Sequence, residues 1–152
     1  MYSDNEAERR VLSAITHSES ACIESFSSLE AKDFSEPLHQ ELFNLALSIF
    51  SDGHNPSAAI MMREGSKLGY LDSKEKLEEV NYALSAFVDD DTRYWIDKVS
   101  DSSKKREFAK IIQRHQEPPD NIDEALGQTI ADLSMISAGK NKNDFEDGKV
   151  IA

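Results

Sequence analysis

Apolar side chains recur every three or four positions through most of this chain, and that spacing constrains the fold more than any other feature. In residues 38–50, for example, Leu38, Leu42, Leu45 and Ile49 follow it. Such side chains lie along one stripe of an α-helix, which packs on a core. No segment shows the alternation of apolar and polar residues that is typical of a half-buried strand. We therefore expect an all-α fold.

Residues that favour helix ends divide the first half of the chain into about five short helices. Ser3 and Glu6 have the spacing of a capping box, Pro37 suits the first turn of a helix, and Gly53 suits the residue after a helix. The helices are expected at residues 5–17, around 22–29, from 37 to about 51, at 57–67, and after a cap at Asp72 or Ser73.

The second half of the chain contains two longer and more charged periodic segments. The first is expected from about Asp91 to His115, and the second begins near Asn121. The prolines at positions 118 and 119 between them favour a turn between two helices. In the second segment, apolar residues recur at alternating intervals of four and three, as in a heptad seam. We expect an antiparallel two-helix hairpin in which the seam of the second arm packs on the first arm and on a second copy of the chain.

These patterns predict three parts. Residues 1–88 form a globular helical subdomain, residues 89–138 form the hairpin, and residues 139–152 form a linker. After Gly139 the sequence is dominated by Lys, Asn and Asp, a composition that is typical of linkers rather than of a core.

The charge balance argues against tight, direct binding of nucleic acid. The chain has 29 acidic and 17 basic side chains, a net charge of −12, whereas phosphate binding requires clustered Lys and Arg. An acidic surface instead suits partner proteins with basic surfaces. The longest apolar run, at residues 58–62, is too short to span a bilayer, and the N-terminus has no signal-like pattern. We expect a cytoplasmic protein without membrane contact.

The sequence offers little for bond chemistry. No stretch has the G-x-x-x-x-G-K-[ST] form that binds nucleotide phosphates, so ATP hydrolysis by these residues is not expected. The four histidines are scattered, which disfavours a metal site. The acidic run 89–91 favours a helix cap over a cation site. Metal-assisted phosphoester hydrolysis by this run with His39 or His54 is the hypothesis that these patterns favour least. We expect no cofactor.

Several motifs resemble those of the N-terminal domain of DnaB-type replicative helicases. The segment Asp33-Phe34-x-x-Pro37-x-His39, followed by Leu42 and Phe43, resembles that domain's most recognisable stretch. The opening residues 6–12, the turn at residues 69–71 and the spacing of Tyr94, Val99 and Arg106 also match in order. Residues 149–152 resemble the start of the linker helix that leads to a RecA-like motor. The loop at residues 87–91 and the turn at 118–119 depart from the family pattern.

The resemblance implies an assembly and docking domain rather than an enzyme. Its hairpins would pair into dimers and, with a motor attached, into rings, and DnaG-type primase or a helicase loader would dock on them. The alternative is a stand-alone phage or plasmid regulator that binds a host helicase or loader. The downstream reading frame would distinguish the two.

The candidate site residues fall into two groups. The first has a structural role in the family motifs, in which His39 is expected to make a local hydrogen bond near the helix start: Glu6, Val11, Leu12, Asp33, Phe34, Pro37, His39, Leu42, Phe43 and Gly53. The second is expected to be a self-association or partner interface, because residues such as Leu126 and Ile130 give the second arm an apolar band wider than one partner arm covers; the alternative is that the seam only closes the hairpin within one molecule. Its members are Tyr94, Trp95, Val99, Ile122, Leu126, Thr129, Ile130, Leu133 and Ile136.

Overall fold

The structure is a computed structural model that describes residues 3–85, 91–114 and 121–151, with side chains described as far as residue 137. Within those ranges every regular element is helical, which confirms the all-α prediction. The elements are α1 (Asn5–His17), α2 (Glu19–Ser28), a 3₁₀ turn (Ala31–Asp33), α3 (Pro37–Ser51), α4 (Ala58–Lys67), α5 (Lys74–Ser85), α6 (Thr92–Arg114) and α7 (Ile122–Ile151). The 3₁₀ turn was not expected from the sequence.

Polar side chains fix where the helices begin. The carboxylate of Asp4 accepts a hydrogen bond from the amide of Ala7 at 3.0 Å, so Asp4 caps α1 and the predicted capping box at Ser3 is wrong. The hydroxyl of Ser73 accepts from the Lys76 amide at 3.2 Å, which selects Ser73 over Asp72 as the cap of α5. Each cap satisfies an amide that has no partner within the helix.

The end of α3 requires a glycine. Gly53 has a φ of +89°, in the left-handed region that side chains with a Cβ rarely adopt. This conformation lets the amide of Gly53 donate to the Phe50 carbonyl at 3.0 Å and the amide of His54 donate to the Ile49 carbonyl at 3.1 Å. The chain therefore turns sharply after α3, as the sequence predicted.

Helix α1 is the centre of the globular head, which we define as α1–α5 with the 3₁₀ turn. It packs against α2, α3, α5 and α6. Four phenylalanines fill the space beside it: Phe43 lies 5.3 Å from Phe26 and 4.9 Å from Phe34 between ring centroids, and Phe50 lies 5.5 Å from Phe26. Complete burial of a ring or a leucine contributes roughly 1.5–3 kcal/mol, so this core supplies much of the head's stability.

The first half of α6 belongs to that core. Ile96 and Val99 are fully buried with residues of α1 and α3 in one apolar cluster. The second half of α6 pairs with α7, and α7 also contacts α2. The predicted boundary between residues 88 and 89 lies outside the described residues, so the division into three parts stays a prediction.

Helix α7 runs through the segment expected to be a linker. Its backbone is helical to Ile151, so the residues after Gly139 continue α7. In the described part of the chain, no helix combines the length and apolar character needed to cross a membrane.

Candidate interaction surface

The motif residues of the first candidate group lie mainly in the head, where most serve the core. Val11, Leu12, Phe34, Leu42 and Phe43 are almost completely buried. Pro37 occupies the first turn of α3. Glu6 is different, because it is exposed and pairs with Arg10 one turn later, at 3.3 Å.

Asp33 joins the head to α6. Its carboxylate accepts hydrogen bonds from the Ser103 hydroxyl at 2.7 Å and from the Glu30 amide at 2.8 Å. The Asp33 carbonyl accepts from the Arg106 guanidinium at 2.7 Å. Because the bonds from Ser103 and Arg106 connect residues about seventy positions apart, Asp33 helps to fix the direction in which α6 leaves the head.

His39 lies at the centre of a buried ionic cluster that spans α1, α3 and α5. Its Nδ1 is 2.8 Å from Glu8 Oε1, and its Nε2 is 2.7 Å from Glu79 Oε2. The expected local hydrogen bond is therefore wrong, since both partners are distant in sequence. The guanidinium of Arg9 donates to both carboxylate oxygens of Glu79, at 2.8 and 2.9 Å. Glu8 Oε2 also accepts from the amide and hydroxyl of Ser35, at 3.0 and 2.7 Å.

The cluster requires a charged imidazole. A carboxylate can only accept hydrogen bonds, so both nitrogens of His39 must carry protons to bond Glu8 and Glu79. Burial lowers the pKa of His39, but the hydrogen bonds to Glu8 and Glu79 outweigh it and the net shift is upward. Burial raises the pKa of Glu8, but its bonds with His39 and Ser35 bring the net value below the ordinary one. The ion pair between Glu8 and His39 contributes to both shifts.

The predicted interface residues of α6 divide between surface and core. Tyr94 is exposed, and its ring meets Trp95 edge-on with centroids 4.9 Å apart. Trp95 is half-buried against the core, beneath the guanidinium of Arg10 at 4.9 Å. Val99 is 1% exposed, so its assignment to an interface is wrong for this structure. The side chain of Val99 packs in the apolar core that α6 shares with the head.

On α7 the structure separates the candidate residues into two sets by their exposure. Thr129, Leu133 and Ile136 are half-buried against the rest of the molecule, and the Thr129 hydroxyl donates to the Ala125 carbonyl at 2.9 Å within the helix. The second set is exposed and consists of Ile122, Leu126 and Ile130. The apolar side chains of α7 are therefore not all covered by α6.

The two arms are antiparallel, with a groove on one side. Arg114 lies 3.9 Å from Asp132, while Ser103 and Glu107, earlier in α6, line a groove with Ile136, later in α7. Phe108 and Ile112 each follow a residue that lines this groove, and one residue turns a helix by about 100°. On α7, Ile122, Leu126 and Ile130 lie about 80–160° around the helix from Asp132, which turns them away from the groove.

Because the two helices are antiparallel, similar rotations away from the groove bring the exposed apolar residues of α6 and those of α7 to the same face of the hairpin. We call the set of Phe108, Ile112, Ile122, Leu126 and Ile130 the hairpin face; every member is exposed. Phe108 and Ile112 were not among the interface residues predicted from the sequence. They are identified by the rotation of α6 relative to the groove, which only the fold shows.

The arms of the hairpin also differ in charge. Helix α6 carries seven basic and three acidic side chains, a net charge of +4. Residues 122–137 of α7 carry three acidic and no basic side chains, a net charge of −3. A domain that is acidic as a whole thus contains one basic helix beside one acidic helix.

Comparison with known proteins agrees with this architecture. The crystal structure of the N-terminal domain of DnaB helicase from Mycobacterium tuberculosis superposes with a TM-score of 0.73 at 18% sequence identity, covering 88% of this chain and 97% of that one. No curated protein sequence matches the chain. Residues 1–114, which contain the head and all of α6, match the family described as the DnaB-like helicase N terminal domain. The chain therefore belongs to the DnaB-like helicase N-terminal domain family.

Proposed function

We propose that this domain assembles copies of a replicative helicase through its hairpin and provides a docking site for a DnaG-type primase or a helicase loader. It acts by binding and not by bond chemistry. The observation that carries the proposal is the hairpin face, whose five large apolar side chains are all exposed in a single copy of the chain. Contiguous apolar surface of this kind is typical of protein interaction sites.

Pairing of two hairpins would satisfy this face. In a two-fold symmetric pair the same patch contacts itself, so Phe108 and Ile112 of one copy can meet Leu126 and Ile130 of the other. That arrangement also sets the basic α6 of each copy against the acidic α7 of its neighbour. Opposite charge around an apolar contact favours the correct register and disfavours competing partners.

Dimers are the first level of the proposed assembly. When a motor domain is attached, three such dimers would form a ring, and primase or loader would bind to the outer surface of that ring. The net charge of −12 favours partners that present basic surfaces.

Sedimentation equilibrium of the chain over a range of concentrations tests the self-association. The informative change is Leu126→Glu, which places a charge in the centre of the hairpin face and removes apolar area. Loss of roughly 1.5–3 kcal/mol should raise the dissociation constant about tenfold to a hundredfold.

Met135→Glu is a matched control. Met135 is also exposed on α7, at 76% against 57% for Leu126, but it lines the groove on the other side of the hairpin. We expect this variant to associate like the original chain. A chain that stays monomeric at high micromolar concentration and ignores both primase and loader would contradict the proposal, and equal effects of the two substitutions would exclude the hairpin face as the contact.

A further inference from the structure

Helix α5 is attached to the head along one side only. Among the described elements it packs chiefly on α1, through Val80, Ala83 and Leu84. Its other side faces solvent and is mainly polar. One further bond to α1 is donated by the Ser13 hydroxyl to the Leu84 carbonyl at 2.9 Å. A helix with a single packing partner can leave a domain without dismantling the remaining core.

The ionic cluster connects α5 to both α1 and α3. Glu79 is the contribution of α5, and it meets Arg9 of α1 and His39 of α3. The opposite nitrogen of the imidazole is bonded to Glu8 of α1. Two further groups act on Arg9: Glu36 before α3, through space, and Tyr82 of α5, whose ring centroid lies 4.5 Å from the guanidinium. With His39 protonated, Glu8, Glu79, Arg9 and His39 sum to zero charge.

Removal of one proton disrupts this balance. A neutral imidazole keeps a single N–H, so one of its nitrogens presents a lone pair to a carboxylate at a distance of about 2.7–2.8 Å. His39 and Glu8 are almost wholly buried and cannot move to water, whereas Glu79 is about a quarter exposed and lies on the helix with the fewest attachments. The contact that gives way is therefore the one to α5.

We propose that α5 is a releasable helix of the head, held closed by the bridge from Glu8 through His39 to Glu79, and that deprotonation of His39 promotes its release while α1, α3 and α6 stay packed. Release uncovers the surface of α1 on which Val80, Ala83 and Leu84 rest, so the surface that the head presents becomes dependent on pH. This device is independent of the hairpin and of its proposed role in assembly.

The direction and range of the effect follow from linkage. In the released state His39 keeps its bond to Glu8 but loses the one to Glu79, so the pKa of His39 is lower there than in the closed state. The closed state is therefore stabilised fully below the pKa of the released state, and this contribution is lost as the pH rises to the raised pKa of the closed state. Between those limits the equilibrium constant for opening of α5 should increase by up to about tenfold per pH unit. Above the raised pKa it should level off.

Amide hydrogen exchange of the full chain between pH 6 and pH 9, under conditions where reclosing is faster than exchange, measures this constant for each helix. After correction for the intrinsic exchange rate, amides of α5 should show a larger opening constant than amides of α3 at every pH. The constant of α5 should also rise with pH as described above. Low urea concentrations should leave the opening of α5 almost unchanged, because a local release exposes little surface.

Two variants isolate the cluster, each with a matched control. His39→Gln should remove the pH dependence of the α5 opening constant. His54→Gln, at an exposed histidine, should leave that pH dependence unchanged. If His39→Gln does not fold, Glu79→Gln tests the same bridge from α5: it should increase the opening of α5 at pH 6.5 and flatten its rise, whereas Glu75→Gln on the exposed side should do neither. Identical opening constants for α3 and α5 throughout, or an α5 constant that does not change with pH, would overturn the proposal.

Discussion

The head and the hairpin are built from the same kind of amphipathic helix, but the apolar side chains of these helices differ in burial. In the head, large apolar side chains such as Leu12, Phe34 and Phe43 are almost inaccessible to water. On the hairpin, Phe108 is 51% exposed and Ile130 is 64% exposed. The difference shows that helical spacing of apolar residues predicts which side chains need a partner, but not whether that partner lies in the same molecule.

The two regions also differ in how they use charge. The head buries Glu8 and His39 and neutralises them within the molecule, with a network that reaches three helices. The hairpin keeps most of its charges on the surface, with opposite signs on its two arms. Charge therefore fixes internal geometry in the head, whereas in the hairpin it is available to select a second molecule.

The largest expected effect is the loss of a core ring. Phe43→Ala removes a side chain that is 1% exposed and contacts both Phe26 and Phe34. Such a change leaves a cavity as well as losing buried area, and typically costs about 3–5 kcal/mol. Urea denaturation followed by circular dichroism should show this loss in the free energy of unfolding. A decrease below about 1 kcal/mol would show that the aromatic cluster is not the centre of the core.

A somewhat smaller effect is expected when the ionic cluster loses one member. Glu8→Gln leaves His39 and its other partners in place without the carboxylate that neutralises them, and removing one partner of a buried ion pair costs about 3 kcal/mol. The comparison variant is Glu6→Gln on the same helix, where the exposed pair with Arg10 contributes at most about 1 kcal/mol. Equal melting temperatures for the two variants would contradict the central role of His39.

The secondary structure of the head could be predicted closely because its signals are local. Asn5, Pro37 and Lys67 mark helix ends in the structure as they did in the sequence. Caps were less certain, since Ser3 and Asp4 both carry suitable oxygens and only the backbone conformation at Asp4 decides between them. The 3₁₀ turn at residues 31–33 is too short to produce a periodic pattern.

The ionic cluster and the full hairpin face could not be predicted, because both depend on contacts that are distant in sequence. His39 and Glu79 are forty positions apart, and nothing local connects them. Val99 and Phe108 are both apolar residues of α6, yet one packs in the head and the other faces solvent. They lie nine positions apart, which places them on opposite sides of the helix, and which side faces the head is a property of the fold.

The smallest expected effect on stability, and the one that most sharpens the comparison, comes from Phe108→Ala. It removes the same ring as Phe43→Ala, but from a site where about half of the side chain is already in water. Exposed positions of this kind usually change the free energy of unfolding by less than about 0.5 kcal/mol. The same substitution should nevertheless weaken self-association in sedimentation equilibrium, because the ring belongs to the hairpin face. A large loss of stability in the monomer would place Phe108 in an internal contact, whereas a stable variant with unchanged association would remove the ring from the interface. Only the combination of a stable monomer and weaker association is consistent with a side chain whose partner is a second molecule.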